Sequence, residues 1–532
     1  MVRAASNARQ AAYPAAKPPA APKKNRPNRM VLHPLVKLLF NTRAYRFDAS
    51  ARAFVRHTSL LIDGKRIVAL DSDAVGVGAE RIDLHGAAVL PAFADCHVHL
   101  PETGYYAGNR SLAQVCTYDD FAKAVASIPR DGEVVYAGQY DDARWIDGRI
   151  ADAAPLERYH PGARAMLVRI DGHSSIVNRR TFAWLDLPPE IDGIERAGDG
   201  TPTGKLSLEA NWRAQTAFIA AIPRSMRHAS ERRAVDIARA HGVAHLHAQL
   251  LGIAPGEHAS EIERLRALPA KIYPKVCEPD ARLASDNGLP FIGGDVFLDG
   301  SIGSCTAALH DPYERSGETG SLRFSDDALL AYFSGAEALG VAAGVHAIGD
   351  AAIEQCLRVW ERVLAGKPST RGARHFIEHF EMASGEHIDA CARMNIHLSM
   401  QPQFDATWGD AGGMYEQRLG VRRKRTMNAF RRIVGAGATL CGGSDSPVCA
   451  LDPLAGMQAC LQHHEPAQRL NAHEALALYT VNAARFGYAE SETGNLVPGY
   501  AADLVVLNRD PIEAASFAGC SVIETWIDGE VA

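Results

Sequence analysis

Residues 88–99 read AVLPAFADCHVH, an apolar run closed by two histidines one residue apart. Alternate side chains of an extended strand share a face, so His97 and His99 would point the same way from the end of one strand. Two imidazoles side by side suit Zn²⁺ or a similar divalent transition metal. A single H-x-H is a weak signal, so its meaning depends on what surrounds it.

Working outward, buried-type runs recur, each followed by an Ala/Leu/Glu/Arg-rich stretch of helical character. They are 164–170, 243–249, 271–276, 294–298, 341–346, 375–379, 396–401 and 438–443. Repeated β then α implies a parallel sheet. Eight such units predict an α/β fold built as a TIM (β/α)₈ barrel over about 89–487. With the run ending at His99 there are nine candidates, one too many, and a Gly-, Asp- and Trp-rich segment of about 102–230 reads as an insertion after strand 1. Short β-like runs and Asp-Gly turns at 36–88 and again at 488–532 predict a small β-sandwich domain formed from both chain ends.

Spacing adds further ligands. His346, His379 and Asp445 each close one of the strand candidates. The step from 346 to 379 is 33 residues and from 379 to 445 is 66, against about 31 per unit in a barrel of roughly 250 residues. His97 and His99, His346, His379 and Asp445 therefore fall at the ends of strands 1, 5, 6 and 8, on the rim where TIM barrels carry their active sites. Asp445, before Ser446-Pro447, also reads as a helix-capping carboxylate. In the catalytic reading it takes a proton from the attacking water and passes it to a leaving nitrogen.

Several ordered stretches carry a family resemblance. They are LPAFADCHVH at 90–99, DGHSSIVN at 171–178, DGSIGSCTAAL at 299–309, VHAIGD at 345–350, IEH at 377–379, GSDSPV at 443–448, YTVNAA at 479–484 and GYAADLVVL at 499–507. Over residues 36–532 the chain resembles the amidohydrolase superfamily, specifically its family 3, which includes N-substituted formamide deformylases. The resemblance implies metal-activated water cleaving a non-peptide C–N bond of an amide, formamide or cyclic amide, with one or two ions per chain. The family usually carries a lysine four residues before the Asp-Gly of 299–300, able when carboxylated to bridge two metals; here Asp295 stands there. That departure favours one tightly held ion with Asp295 as an extra ligand. Lys275 reads as a salt-bridging residue or, alternatively, as a replacement for that lysine.

The matched DGH motif implies that Asp171, His173 and Asn178 bind substrate, the alternative being a local turn network. Gln139, Tyr140 and Trp145 from the insertion, and Gln401 and Gln403 after the seventh strand, are further candidates. His463-His464 and His473-Glu474 lie in helical surroundings and read as surface or packing residues. Other readings of the whole chain are a catalytically silent barrel acting as a binding module, and a metal-dependent deaminase or isomerase.

Of 532 residues, 47% are hydrophobic and 22% charged, with a net charge of −6. This is a globular composition with no electrostatic reason to expect nucleic acid or an anionic membrane as partner. A small-molecule substrate fits, and the resemblance is consistent with a homodimer. No run of 18 apolar residues exists, and ten scattered cysteines without a C-x-x-C pair predict a cytoplasmic protein with reduced thiols. Residues 1–35 are Ala/Pro-rich and basic, read as a disordered arm or, alternatively, an organelle-targeting segment. Gly76-Val77-Gly78 lacks the third glycine of a dinucleotide fingerprint.

Overall fold

The computed structural model describes residues 36–71 and 79–532; the basic arm and the run at Gly76–Gly78 lie outside them. The chain has a mixed α/β fold. Eight parallel strands occupy its centre: β1 (Phe93–Val98), β2 (Val243–Leu250), β3 (Lys271–Val276), β4 (Phe291–Ile292), β5 (Ala342–Ala347), β6 (Phe376–His379), β7 (His397–Met400) and β8 (Leu440–Gly442). They form two ladders, β1-β2-β3 and β4 through β8. Gly293 N–H donates to Val276 O at 2.8 Å, linking the end of β4 to β3. A parallel bridge between Val98 and Ser446 sets the end of β8 beside β1. Every residue of β1, β2, β5 and β6 is buried, as expected of parallel strands covered on both faces.

The opening stretch 88–99 serves two sheets. Ala88–Pro91 pairs antiparallel with Leu504–Leu507, and after Ala92 the chain continues as β1, pairing parallel with β2. The first pairing belongs to a single eight-stranded sheet to which both chain ends contribute, from Val36–Asp48 to Glu530–Val531. Its strand Arg66–Leu70 also reaches residues 499–501: Ile67 N–H donates to Tyr500 O and Gly499 N–H to Ile67 O. The sheet thereby bends back on itself over a core that includes Leu39, Leu60, Ile67, Val506 and Trp526.

The ninth strand candidate lies outside the two central ladders. Arg164–Arg169 lies in a separate five-stranded sheet with Val134–Tyr140, Ser174–Val177, Pro202–Ser207 and Ile194–Arg196. Periodicity could not tell this strand from a central one because it too is buried and pairs in parallel with Val134–Tyr140. The run expected at 294–298 is interrupted instead. Gly293 and Gly294 have φ of 83° and 110°. A Cβ at Gly293 would lie 2.1 Å from Gly344 O. Only glycine takes this conformation at so close an approach, and the kink it allows precedes Asp295 directly.

Candidate metal centre

The strand ends bring five imidazole and carboxylate groups of the sequence reading, together with Asp295, to one point. His97 Nε2 lies 3.3 Å from both Asp295 Oδ2 and Asp445 Oδ1. His99 Nε2 is 3.2 Å from Asp295 Oδ2 and 3.0 Å from Asp445 Oδ1. On the other side, His346 Nδ1 and His379 Nε2 each stand 3.8 Å from Asp295 Oδ1. Donor atoms held tetrahedrally about 2.0–2.1 Å from a zinc-like ion are roughly 3.3–3.4 Å apart, so this spacing fits ligation.

Hydrogen bonds set the imidazole tautomers. His97 Nδ1 donates to Glu378 Oε2 at 2.9 Å, His379 Nδ1 to Gln401 Oε1 at 2.8 Å, and His346 Nε2 to Gly300 O at 3.1 Å. Each ring thus uses one nitrogen on a protein acceptor and turns the lone pair of the other inward. Three of the inward atoms, His97 Nε2, His346 Nδ1 and Asp295 Oδ1, are buried without a hydrogen-bond partner among the described residues. Leaving such atoms unpaired costs about 1–3 kcal/mol each, which a cation would offset. The donor set and its orphaned atoms fit a divalent metal.

Behind His97 sits a fully buried ion pair. Lys275 Nζ lies 2.6 Å from Glu378 Oε1 and donates to Cys96 O at 2.9 Å. Burial opposes ionisation of Glu378, but Lys275 and then His97 draw its carboxyl down to about 2. Lys275 is therefore the salt-bridging residue, and its amine is engaged on both sides. Burial also opposes charge on Asp295 and Asp445, yet the imidazoles, His97 foremost, hold both carboxyls well below the usual range. His99 is disfavoured as a cation by burial, but the same two carboxylates push it up to about 10. At His173, burial and then the neighbouring His346 outweigh the pull of Asp171 and lower it to about 3. Two residues of the cluster carry left-handed backbone, His379 at φ 71° and Asp445 at φ 54°. Such conformations cost on the order of 1 kcal/mol and persist where surrounding structure imposes them.

The centre opens into a cavity of about 310 Å³ lined by His99, Asp295, His346, His379 and Asp445. Asp171, His173 and Gln139 also line it. Asp171 is held in place by Arg169 at 2.7 Å, by the hydroxyls of Ser301 and Ser304, and by His173 N–H. Gln139 donates to Pro447 O.

Three substrate-binding expectations are corrected. Asn178 is fully buried away from the cavity, where its Oδ1 accepts from Thr181 N–H and caps helix Arg179–Leu185. Trp145 packs into the core of the insertion against Phe121 and Tyr118. Gln403 turns its Nε2 to Ala450 O at 2.8 Å. In each case a nearby partner claims the polar group, or apolar neighbours the ring. Gln401 orients His379 instead of facing the cavity.

The sequence reading passes over Glu378 although it lies inside the matched IEH stretch; its position on β6 directly before His379 is the available signal. Trp212, Phe297 and Arg323, which line the cavity, left no pattern in the sequence.

The amidohydrolase family profile matches residues 80–532. The chain belongs to the amidohydrolase family. It is a hydrolase by that membership. It is 27% identical over 488 residues to the amidohydrolase-named YtcJ of Bacillus subtilis, covering 85% of this chain and 90% of that one. The N-substituted formamide deformylase of Arthrobacter pascens is 23% identical over 522 residues, covering 88% and 94% of the two chains. An uncharacterized metal-dependent hydrolase from Pyrococcus furiosus superposes with a TM-score of 0.70 at 23% identity, over 90% of this chain and all of that one. Among the described residues no helix is long and apolar enough to cross a membrane.

Proposed function

We propose that this amidohydrolase cleaves a non-peptide C–N bond of a small amide, formamide or cyclic amide with water activated at a two-ion centre. The observation that carries the reading is the convergence of inward lone pairs, three of them buried and unpartnered. His97, His99, Asp445 and Asp295 Oδ2 would hold one ion, and His346, His379 and Asp295 Oδ1 the other. Asp295 would thus present one oxygen to each histidine pair, at the position where the family usually carries a lysine. This departs from the single-ion expectation because His97 and His99 approach Asp295 Oδ2 whereas His346 and His379 approach Asp295 Oδ1.

When bound, zinc or a related divalent ion polarises the carbonyl and brings the pKa of a water near neutrality. Asp445 directs Oδ1 at His97 and His99, which leaves Oδ2 to take the water's proton and return it to the departing nitrogen. His173, beside His346 in the cavity wall, can donate to the amide oxygen. Glu378 and Gln401 keep the ligand tautomers fixed throughout.

The architecture we propose is a closed (β/α)₈ barrel, supported by hydrogen bonds that join the two ladders at both seams, with the terminal sheet folded as a two-layer sandwich. The domain limits proposed are 36–88 with 488–532 for the sandwich and 89–487 for the barrel. All ten cysteines are unpaired, which supports a reducing, cytoplasmic setting.

Elemental analysis of protein purified without chelator, combined with turnover of N-formyl, N-acyl and cyclic amides, tests the function. Two equivalents of a transition metal and hydrolysis of one of these classes are expected. Metal-free protein, or metal without turnover of any of them, overturns it.

A further inference from the structure

The centre is flanked by two unequal spaces. The larger is the cavity of about 310 Å³, walled on one side by helix Leu208–Ala221 of the insertion. The smaller, of about 30 Å³, lies among Phe404, Trp408, Met414 and Tyr415, with room for roughly two water-sized groups. His346, His379 and Asp445 border both. A bond held at these residues therefore has one roomy flank and one tight flank.

The roomy flank has an aromatic wall. Trp212 stacks on Phe297 with ring centroids 4.2 Å apart and planes 20° from parallel. His173 stands edge-on to both, at 5.3 and 5.6 Å. Ile219, Leu251 and Phe324 continue the surface, and all five apolar side chains are only half buried. Large apolar groups left partly open in a concave wall mark a ligand surface rather than a core.

The charges of the wall narrow the class further. Arg323 is paired with Glu209 at 2.8 Å. Arg169 is engaged by Asp141, Asp142 and Asp171 at 2.7–3.1 Å. Glu102 lines the cavity and has no ion pair among the described residues. Among the described residues, therefore, this wall offers no free cation to an anionic substituent.

Building on the hydrolytic reading above, we propose that the substrate is an amide with a flat apolar substituent about one aromatic ring in size, uncharged or cationic, on one side. The other side carries only hydrogen or a methyl-sized group. Trp212 is the specificity-determining residue.

Hydroxamates bind metal centres without being turned over, so they test this separately from catalysis. Calorimetry on the metal-replete protein should give benzohydroxamate an affinity at least about tenfold above acetohydroxamate, from burial of the ring. A 4-carboxylate on the ring, or a second phenyl on nitrogen, should remove that advantage. Trp212→Ala should close the gap while leaving acetohydroxamate affinity unchanged. Leu251→Asn, on the same wall, should narrow it and provides a second reading if the tryptophan variant misfolds. Equal affinity of the two hydroxamates, or a gap that survives both substitutions, overturns the inference alone. Binding of neither overturns the metal-centre reading and this inference with it.

Discussion

Among the described residues two clusters combine histidine with aspartate and bring their side-chain atoms close enough to hold an ion: His97, His99 and Asp445 with Asp295 and His379, and Asp405 with His463 and His464. In the second cluster every ring nitrogen has a partner. His463 Nε2 donates to Asn428 O at 3.0 Å, and His463 Nδ1 accepts from Glu465 N–H at 3.0 Å. His464 Nδ1 meets Asp405 Oδ1 at 2.5 Å and His464 Nε2 meets Lys424 O at 3.0 Å. At the first cluster, His97, His379 and the adjoining His346 each use one nitrogen outward and leave the other facing its neighbours. Composition and proximity are alike. What separates the candidate site from a packing device is whether the polar atoms are already satisfied.

Substitutions can break that comparison. The largest effect is expected for Asp445→Asn, which keeps the shape but removes the proton acceptor; kcat should fall about 10²- to 10⁴-fold with folding intact by circular dichroism. Turnover near wild type would remove Asp445 from the proton-transfer role. Next, Glu378→Gln should weaken metal affinity about 10- to 100-fold, read by chelator competition, because His97 loses the ionised acceptor that orients it. Unchanged affinity would reduce the Lys275–Glu378 pair to a structural bridge. Asp405→Asn sharpens the contrast from the other side. It should cost about 1–2 kcal/mol of stability in urea unfolding while metal content and kcat stay at wild-type values. A loss of bound metal there would mean the second cluster also holds an ion. The smallest change is expected for Gln403→Ala, below about 0.5 kcal/mol and without effect on KM, since its amide bonds Ala450 O outside the cavity.

The legible part of the site was the part governed by strand periodicity. His97 and His99 share a face because they alternate, and His346, His379 and Asp445 were found because each ends a buried run one or two βα units from the last. Asp295 is visible only as a departure from a pattern, and its run is broken by two glycines, Gly293 pressed against Gly344 of β5 and Gly294 against Gln249 of β2. Asn178, Trp145 and Gln403 were misassigned because motif membership or polarity says nothing about which neighbour claims a side chain. Trp212 lies on a helix of the insertion, far in sequence from every residue it faces.

Chain order and side-chain alternation, which are local, already implied an α/β chain with a histidine-rich strand end and carboxylates at repeat intervals. The tertiary structure alone decided which nitrogen of each imidazole is free, which carboxylate stands between the two histidine pairs, and how unequal the spaces on either side are. Those properties depend on hydrogen bonds and packing between segments tens to hundreds of residues apart, and no local pattern encodes them.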